Sequence, residues 1–182
     1  MSENKKEKWE WMKAVVIAFV LVFVIRTFLV TPIIVDGASM NTTLLDKDRM
    51  IVNKIDKPER FDIVVFHANE NEDYIKRVIG LPGDRIEYKD DTLYVNGKAF
   101  DEPYLEKQKQ EILDGKPLTP SFSLEDTAVG QQTVPEGHIF VMGDNRRYSK
   151  DSRLIGAVPL EEVVGTTNIV YWPIKEAKVI HQ

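Results

Sequence analysis

From Ala14 to Ile25 the chain carries 12 apolar residues without a break, and after Arg26 and Thr27 the apolar character resumes through Val35. As one helix, residues 14–35 would be roughly 33 Å long, enough to cross a hydrocarbon layer of about 30 Å. Arg26 is the exception, and from the second half of such a helix its long side chain can snorkel to an interface. Lys5, Lys6, Lys8 and Lys13 precede the run, so residues 1–13 are expected on the cytoplasmic side and the chain after the anchor outside. Trp9 and Trp11 suit the interface. Two other readings compete. A cleavable secretion signal has the same basic start, but Asp36 makes a poor cleavage site and the apolar stretch runs on to Val35. A buried core helix is disfavoured by the length of the stretch.

Residues 36–182 are long enough for one domain with its own core. The absence of cysteine excludes thiol catalysis, Cys-ligated zinc, iron–sulfur clusters and disulfides. A net charge of −5 with no basic stripe gives no sign of a nucleic-acid partner. Residues 50–55, 61–67, 74–79, 85–88, 138–142 and 163–171 are rich in β-branched and aromatic residues between turn signals. Asn96-Gly97, between 92–95 and 98–100, is the strongest hairpin signal. Residues 102–132 are polar, with one helix-like patch at 104–113, and read as an insertion or surface loop. The pattern predicts a mainly β fold: one transmembrane helix, then an extracytoplasmic antiparallel β-domain.

Without cysteine, the candidate nucleophiles include Ser2, Ser39, Ser121, Ser123, Ser149 and Ser152. A serine hydroxyl needs an adjacent base. His67, His138 and His181 lie in unremarkable surroundings, although a Ser-His-Asp triad stays open because its members converge only in space. The other possible base is a lysine that burial has stripped of its proton. Lys76 lies within a strand, on one face with Tyr74 and Val78; a lone strand lysine is otherwise a solvated edge residue. Ser39 follows Asp36-Gly37-Ala38 close to the outer end of the apolar segment; its plainer reading is a polar turn. Residues 142–153 form a third polar cluster. It is either a solvated turn or a network that holds a base in place.

These three clusters, in this order after one N-terminal anchor, resemble the signature boxes of type I signal peptidases, over about residues 11–172. Residues 37–44 resemble the nucleophile box, and 74–84 resemble the lysine box almost residue for residue. Residues 143–146 with 149–153 resemble the C-terminal box. The single anchor and short domain are similar to the Gram-positive form. What the resemblance implies is a membrane-bound serine endopeptidase with no metal or cofactor. On it, Ser39 attacks the scissile carbonyl, Lys76 is the general base and Ser149 orients that lysine. Asp151 and Arg153 match a structural ion pair, Asp144 and Arg146 further support residues. Met40, Leu44, Tyr74 and Ile75 match positions near substrate pockets. The implied partners are signal peptides of secreted preproteins, the lipid bilayer and the secretion translocon; the implied place is the cell membrane.

Cleavage after small residues at −3 and −1 is implied too, because an extended substrate points both to one face. Two positions depart from the pattern. Thr42 stands where the family usually has proline, which is expected to loosen the turn. Gly37 stands where some members carry a hydroxyl for the oxyanion, leaving the Ser39 backbone N–H for that role. Three rivals share part of the pattern. One is a self-cleaving repressor of the LexA type, which would need a DNA-binding domain. The others are a protein that binds signal peptides without cutting them, and an envelope scaffold.

Overall fold

The computed structural model describes residues 3–180; Ser2 and His181 lie outside the described residues. Helix α1 (Glu3–Val24) runs into one wider turn, Ile25–Leu29, and the chain then becomes extended as β1 (Val30–Ile34). The stretch 14–35 is therefore divided: its helical part ends at Leu29, and the residues expected to complete the anchor belong to a sheet. The cause is local. Val30, Thr31, Ile33 and Ile34 are β-branched, and Pro32 pushes Thr31 towards extended backbone. Proline is tolerated there because β1 is an edge strand, paired only with β2 (Arg49–Asn53). Carbonyls at the helix end find donors across the junction. The Lys54 N–H donates to Leu29 O at 2.9 Å, and its ammonium to Thr27 O at 3.1 Å. The segment Glu7–Leu29 is long and apolar enough to cross a membrane and is not buried against the rest of the chain.

The remainder is mainly antiparallel β structure. After β2 come β3 (Ile63–Asn69), β4 (Glu72–Gly80), β5 (Ile86–Lys89), β6 (Thr92–Val95) and β7 (Lys98–Phe100). Helix α2 (Glu106–Glu111), β8 (Phe122–Ser123), β9 (His138–Met142) and α3 (Ser152–Ile155) follow. The chain ends with β10 (Val158–Pro159), β11 (Val163–Trp172) and β12 (Lys178–Val179). One sheet has the order β1-β2-β11-β3-β4-β9-β10, with β12 added to β11; the other has the order β7-β6-β5-β8. The β6–β7 hairpin turns on Asn96 and Gly97, both at positive φ (53° and 79°), the backbone that an Asn-Gly pair supplies at little cost.

Alternation along β4 and β9 builds cores on both faces. Ile79, Phe140 and Met142 pack with Ile86, Tyr88 and Leu93 of the second sheet, whereas Val78, Ile139 and Val141 pack with Val64 and Phe66. The segment 102–132 is more than a surface loop. Its β8 extends the second sheet beside β5, and Glu102, Leu105, Leu118, Thr119 and Leu124 are buried. Its sequence looks polar because much of what it buries is polar.

Candidate active site

Strand β4 carries Lys76 into the space beside the turn that follows β1, where Ser39 sits. Lys76 Nζ lies 2.8 Å from Ser39 Oγ, 3.0 Å from Ile75 O and 4.9 Å from the centre of the Tyr74 ring. Lys76 is only 4% exposed, and no carboxylate is within ion-pair distance of it among the described residues. Burial therefore lowers its pKa from 10.5 to about 8, with Asp151 and Asp144 opposing from further away. An amine that titrates near 8 beside a hydroxyl can accept that hydroxyl's proton.

The backbone around Ser39 is held from several directions. Asn145 donates twice: its N–H to Ser39 O and its side-chain amide to Ala38 O, each at 3.0 Å. Gly143 comes so close that a Cβ on it would collide with the Ser39 carbonyl and the Ser149 side chain. The turn beyond, whose Asn41–Thr42 peptide is cis, is not left loose by Thr42. Leu44 N–H closes it on Met40 O at 3.0 Å, Gln108 donates to Asn41 O at 2.7 Å and Thr43 Oγ1 to Asp144 Oδ2 at 2.5 Å. Among the described residues, nothing accepts the Ser39 N–H.

A groove of about 270 Å³ leads to this pair, with residues 33–40 along one wall and 73–76 along the other. Strand β4 outruns β9, their pairing beginning at Arg77↔Met142, so 73–76 have no strand beside them on that side. Of the residues expected near substrate pockets, Met40, Tyr74 and Ile75 line the groove. Leu44 does not. Its position one turn after Met40 sends it beneath the groove, fully buried against Val35, Met40 and Met50. Ile33, Val35 and Val65, which no motif singled out, also line it; their signal was only that of apolar strand residues.

Behind the groove the polar cluster sorts into pairs. Asp151 and Arg153 form the expected ion pair at 2.8 Å, and Asp151 also accepts the Gly143 N–H at 3.0 Å. Asp144 and Arg146, expected as joint support, do not bond each other's side chains: Asp144 takes Arg77 at 2.6 Å, and Arg146 takes Glu102 at 2.6 Å. Tyr88 and Tyr104 both donate to Glu102 Oε1, at 2.8 and 2.6 Å. Ser149 Oγ is buried and bonds nothing among the described residues, so no hydrogen bond links it to Lys76. No sequence signal marks Glu102, Tyr88 and Tyr104, because the Arg146 they surround is 44, 58 and 42 positions away. Arg77 sits inside the lysine box, and its proximity to Lys76 was the available signal.

A family model described as signal peptidase, peptidase S26, matches residues 8–172. Signal peptidase I of Bacillus caldolyticus is 49% identical over 178 residues, covering 96% of this chain and 94% of that protein. Signal peptidase IB of Staphylococcus aureus is 45% identical over 184 residues, with coverages of 96% and 94%. The crystal structure of a signal peptidase I from Enterococcus faecalis V583 superposes with a TM-score of 0.59 at 46% identity, covering 62% of this chain and 97% of that one.

Proposed function

The chain belongs to the signal peptidase family, peptidase S26, and removes signal peptides as a serine peptidase; on that premise we propose that it works through Ser39 as nucleophile and Lys76 as base. Neutral Lys76 takes the Ser39 proton as Oγ attacks the scissile carbonyl. The oxyanion forms against the Ser39 N–H, and the lysine ammonium then protonates the departing amine, leaving an ester on Ser39. Lys76 next takes a proton from water as it attacks the ester, then gives that proton to the departing Ser39 Oγ, and the signal peptide leaves as an acid that ionises to a carboxylate. The carrying observation is the 2.8 Å contact between a buried amine without a carboxylate partner and a hydroxyl.

The groove supports the specificity expected of this chemistry. A peptide lying extended beside residues 73–76 would turn its −1 and −3 side chains to the same face, against a groove lined by Ile33, Val35, Met40 and Ile75. Asp144, Arg146, Asp151 and Arg153 are positioning residues in this scheme. The anchor spans the bilayer with its N-terminus cytoplasmic, so that enzyme and substrate meet in one plane, within reach of the translocon. The test is cleavage of a purified preprotein by detergent-solubilised protein. Ser39→Ala and Lys76→Ala should each abolish product, and cleavage surviving either change rejects the mechanism.

A further inference from the structure

Asp36, Asp73, Lys76 and Lys150 are the charged side chains that line the groove. All but the last are answered within the chain. Asp36 lies 3.0 Å from Lys47, Asp73 lies 2.6 Å from His67, and Lys76 is buried against Ser39. Lys150 is exposed and, among the described residues, makes no hydrogen bond or ion pair.

Its neighbours fix where it stands. Ser149 packs against Gly143, Asp151 accepts the Gly143 N–H at 3.0 Å, and Gly143 abuts the Ser39 carbonyl. Lys150 is thus at the reactive end of the groove, whereas Ile33 and Asp73 mark the far end. A signal peptide filling the groove up to Ser39 would send the chain after the cut out past that end.

We propose that Lys150 is a specificity-determining residue that reads charge just after the scissile bond, favouring acidic over basic side chains in the first two residues of the released protein. The inference rests on the Ser39/Lys76 assignment and adds a substrate class to it. The physical basis is an unpaired cation in an otherwise apolar or internally paired groove. Exposed ion pairs are weak, so the effect is a preference of about fivefold for acidic over neutral, and about tenfold or more for acidic over basic. Salt should blunt it, because the screening length falls from roughly 10 Å at 0.1 M to about 3 Å at 1 M.

The experiment uses one preprotein with Glu, Gln or Lys at +1 and +2, cut by the full-length protein, Lys150→Met and Lys150→Glu. The quantity read is the ratio of kcat/KM for acidic over basic substrate within each protein, so any general loss from the substitution cancels. The ratio should favour acid in the unmodified protein, approach one in Lys150→Met, reverse in Lys150→Glu and flatten in high salt. Equal ratios in all three proteins, or no preference in the unmodified one, overturn the assignment of Lys150. If Ser39→Ala still cuts the neutral substrate, the catalytic reading beneath it fails instead, so the two failures are distinguishable.

Discussion

Lys76 and Arg77 are consecutive on β4 and both buried, at 4% and 0% exposed, yet the fold treats their charges in opposite ways. The period of the strand sends them to opposite faces. Arg77 meets Asp144 with two hydrogen bonds, of 2.9 and 2.6 Å, donates to Phe61 O at 2.8 Å and lies 3.8 Å from the Tyr104 ring centre. Burial alone would lower its pKa, but Asp144 outweighs it and the net direction is upward. Lys76 meets a hydroxyl, a carbonyl and an aromatic ring, and its pKa falls to about 8. Burial therefore does not by itself decide the charge of a cation. What decides it is whether a carboxylate is buried alongside.

The largest expected effect comes from making Lys76 behave like its neighbour. Lys76→Arg keeps the positive charge but cannot give up its proton in this pH range. General-base catalysis typically contributes a factor of about 10²–10⁴, and kcat/KM should fall by about that much. In the unmodified enzyme, kcat/KM should rise with pH as one proton leaves near pH 8 and then level off. Activity that is flat from pH 6 to 10, or an Arg variant that still cuts well, would break the contrast between the two residues.

Stability should respond in opposite directions at the two positions. Arg77→Met strands the Asp144 carboxylate in the interior, and losing one partner of a buried pair costs about 3–5 kcal/mol. Lys76→Met should instead stabilise at neutral pH. In the unfolded chain Lys76 holds its proton up to 10.5, but in the fold only up to about 8, so the folded state bears the full cost of a buried ammonium below pH 8. That cost is about 3 kcal/mol for a difference of this size. Between these pKa values the unfolded state binds more protons, so stability rises with pH and the cost disappears. Allowing about 2 kcal/mol for two lost hydrogen bonds, Lys76→Met should gain about 1–2 kcal/mol at pH 7, where the ammonium's cost is present, and lose about 1–2 kcal/mol by pH 10.5, where it is not. Denaturant melts at both pH values check this, and destabilisation by Lys76→Met at pH 7 would contradict a fold that bears the cost of a buried ammonium there.

Which parts were legible in the sequence follows from the range of the forces involved. The Asn96-Gly97 hairpin and strand β9 were visible because turn chemistry and alternation act over a few residues. Ser39 and Lys76 could be picked out only as members of separate clusters, since 37 positions part them in sequence and only the fold puts them 2.8 Å apart. The Arg77–Asp144 and Arg146–Glu102 pairs, 67 and 44 positions apart, left no local trace, and Glu102 looked like the start of a polar insertion. Residues 30–34 misled for the opposite reason: apolarity alone does not distinguish lipid from a sheet, and the signals that did were the β-branched run and Pro32.

The smallest expected effect lies where the two regions meet. Thr43, in the turn after Ser39, donates to the same Asp144 that holds Arg77, so the buried pair also anchors the backbone that carries Ser39. Thr43→Val keeps the side chain's shape but removes that bond while leaving Arg77 and Asp144 together. A single hydrogen bond of this kind is worth about 1 kcal/mol, so stability should fall far less than in Arg77→Met. Because Ser39 loses part of its tether and Lys76 loses nothing, kcat should drop a few-fold while the apparent pKa near 8 stays in place. A pH–rate profile of the variant separates the outcomes. If the midpoint moves, the Asp144 network sets the proton affinity of Lys76 as well as the position of Ser39, and the two faces of β4 are one device. If it holds, the Thr43 bond serves the position of Ser39 only, and burial opposed by the more distant Asp151 and Asp144 charges sets the amine independently of that bond.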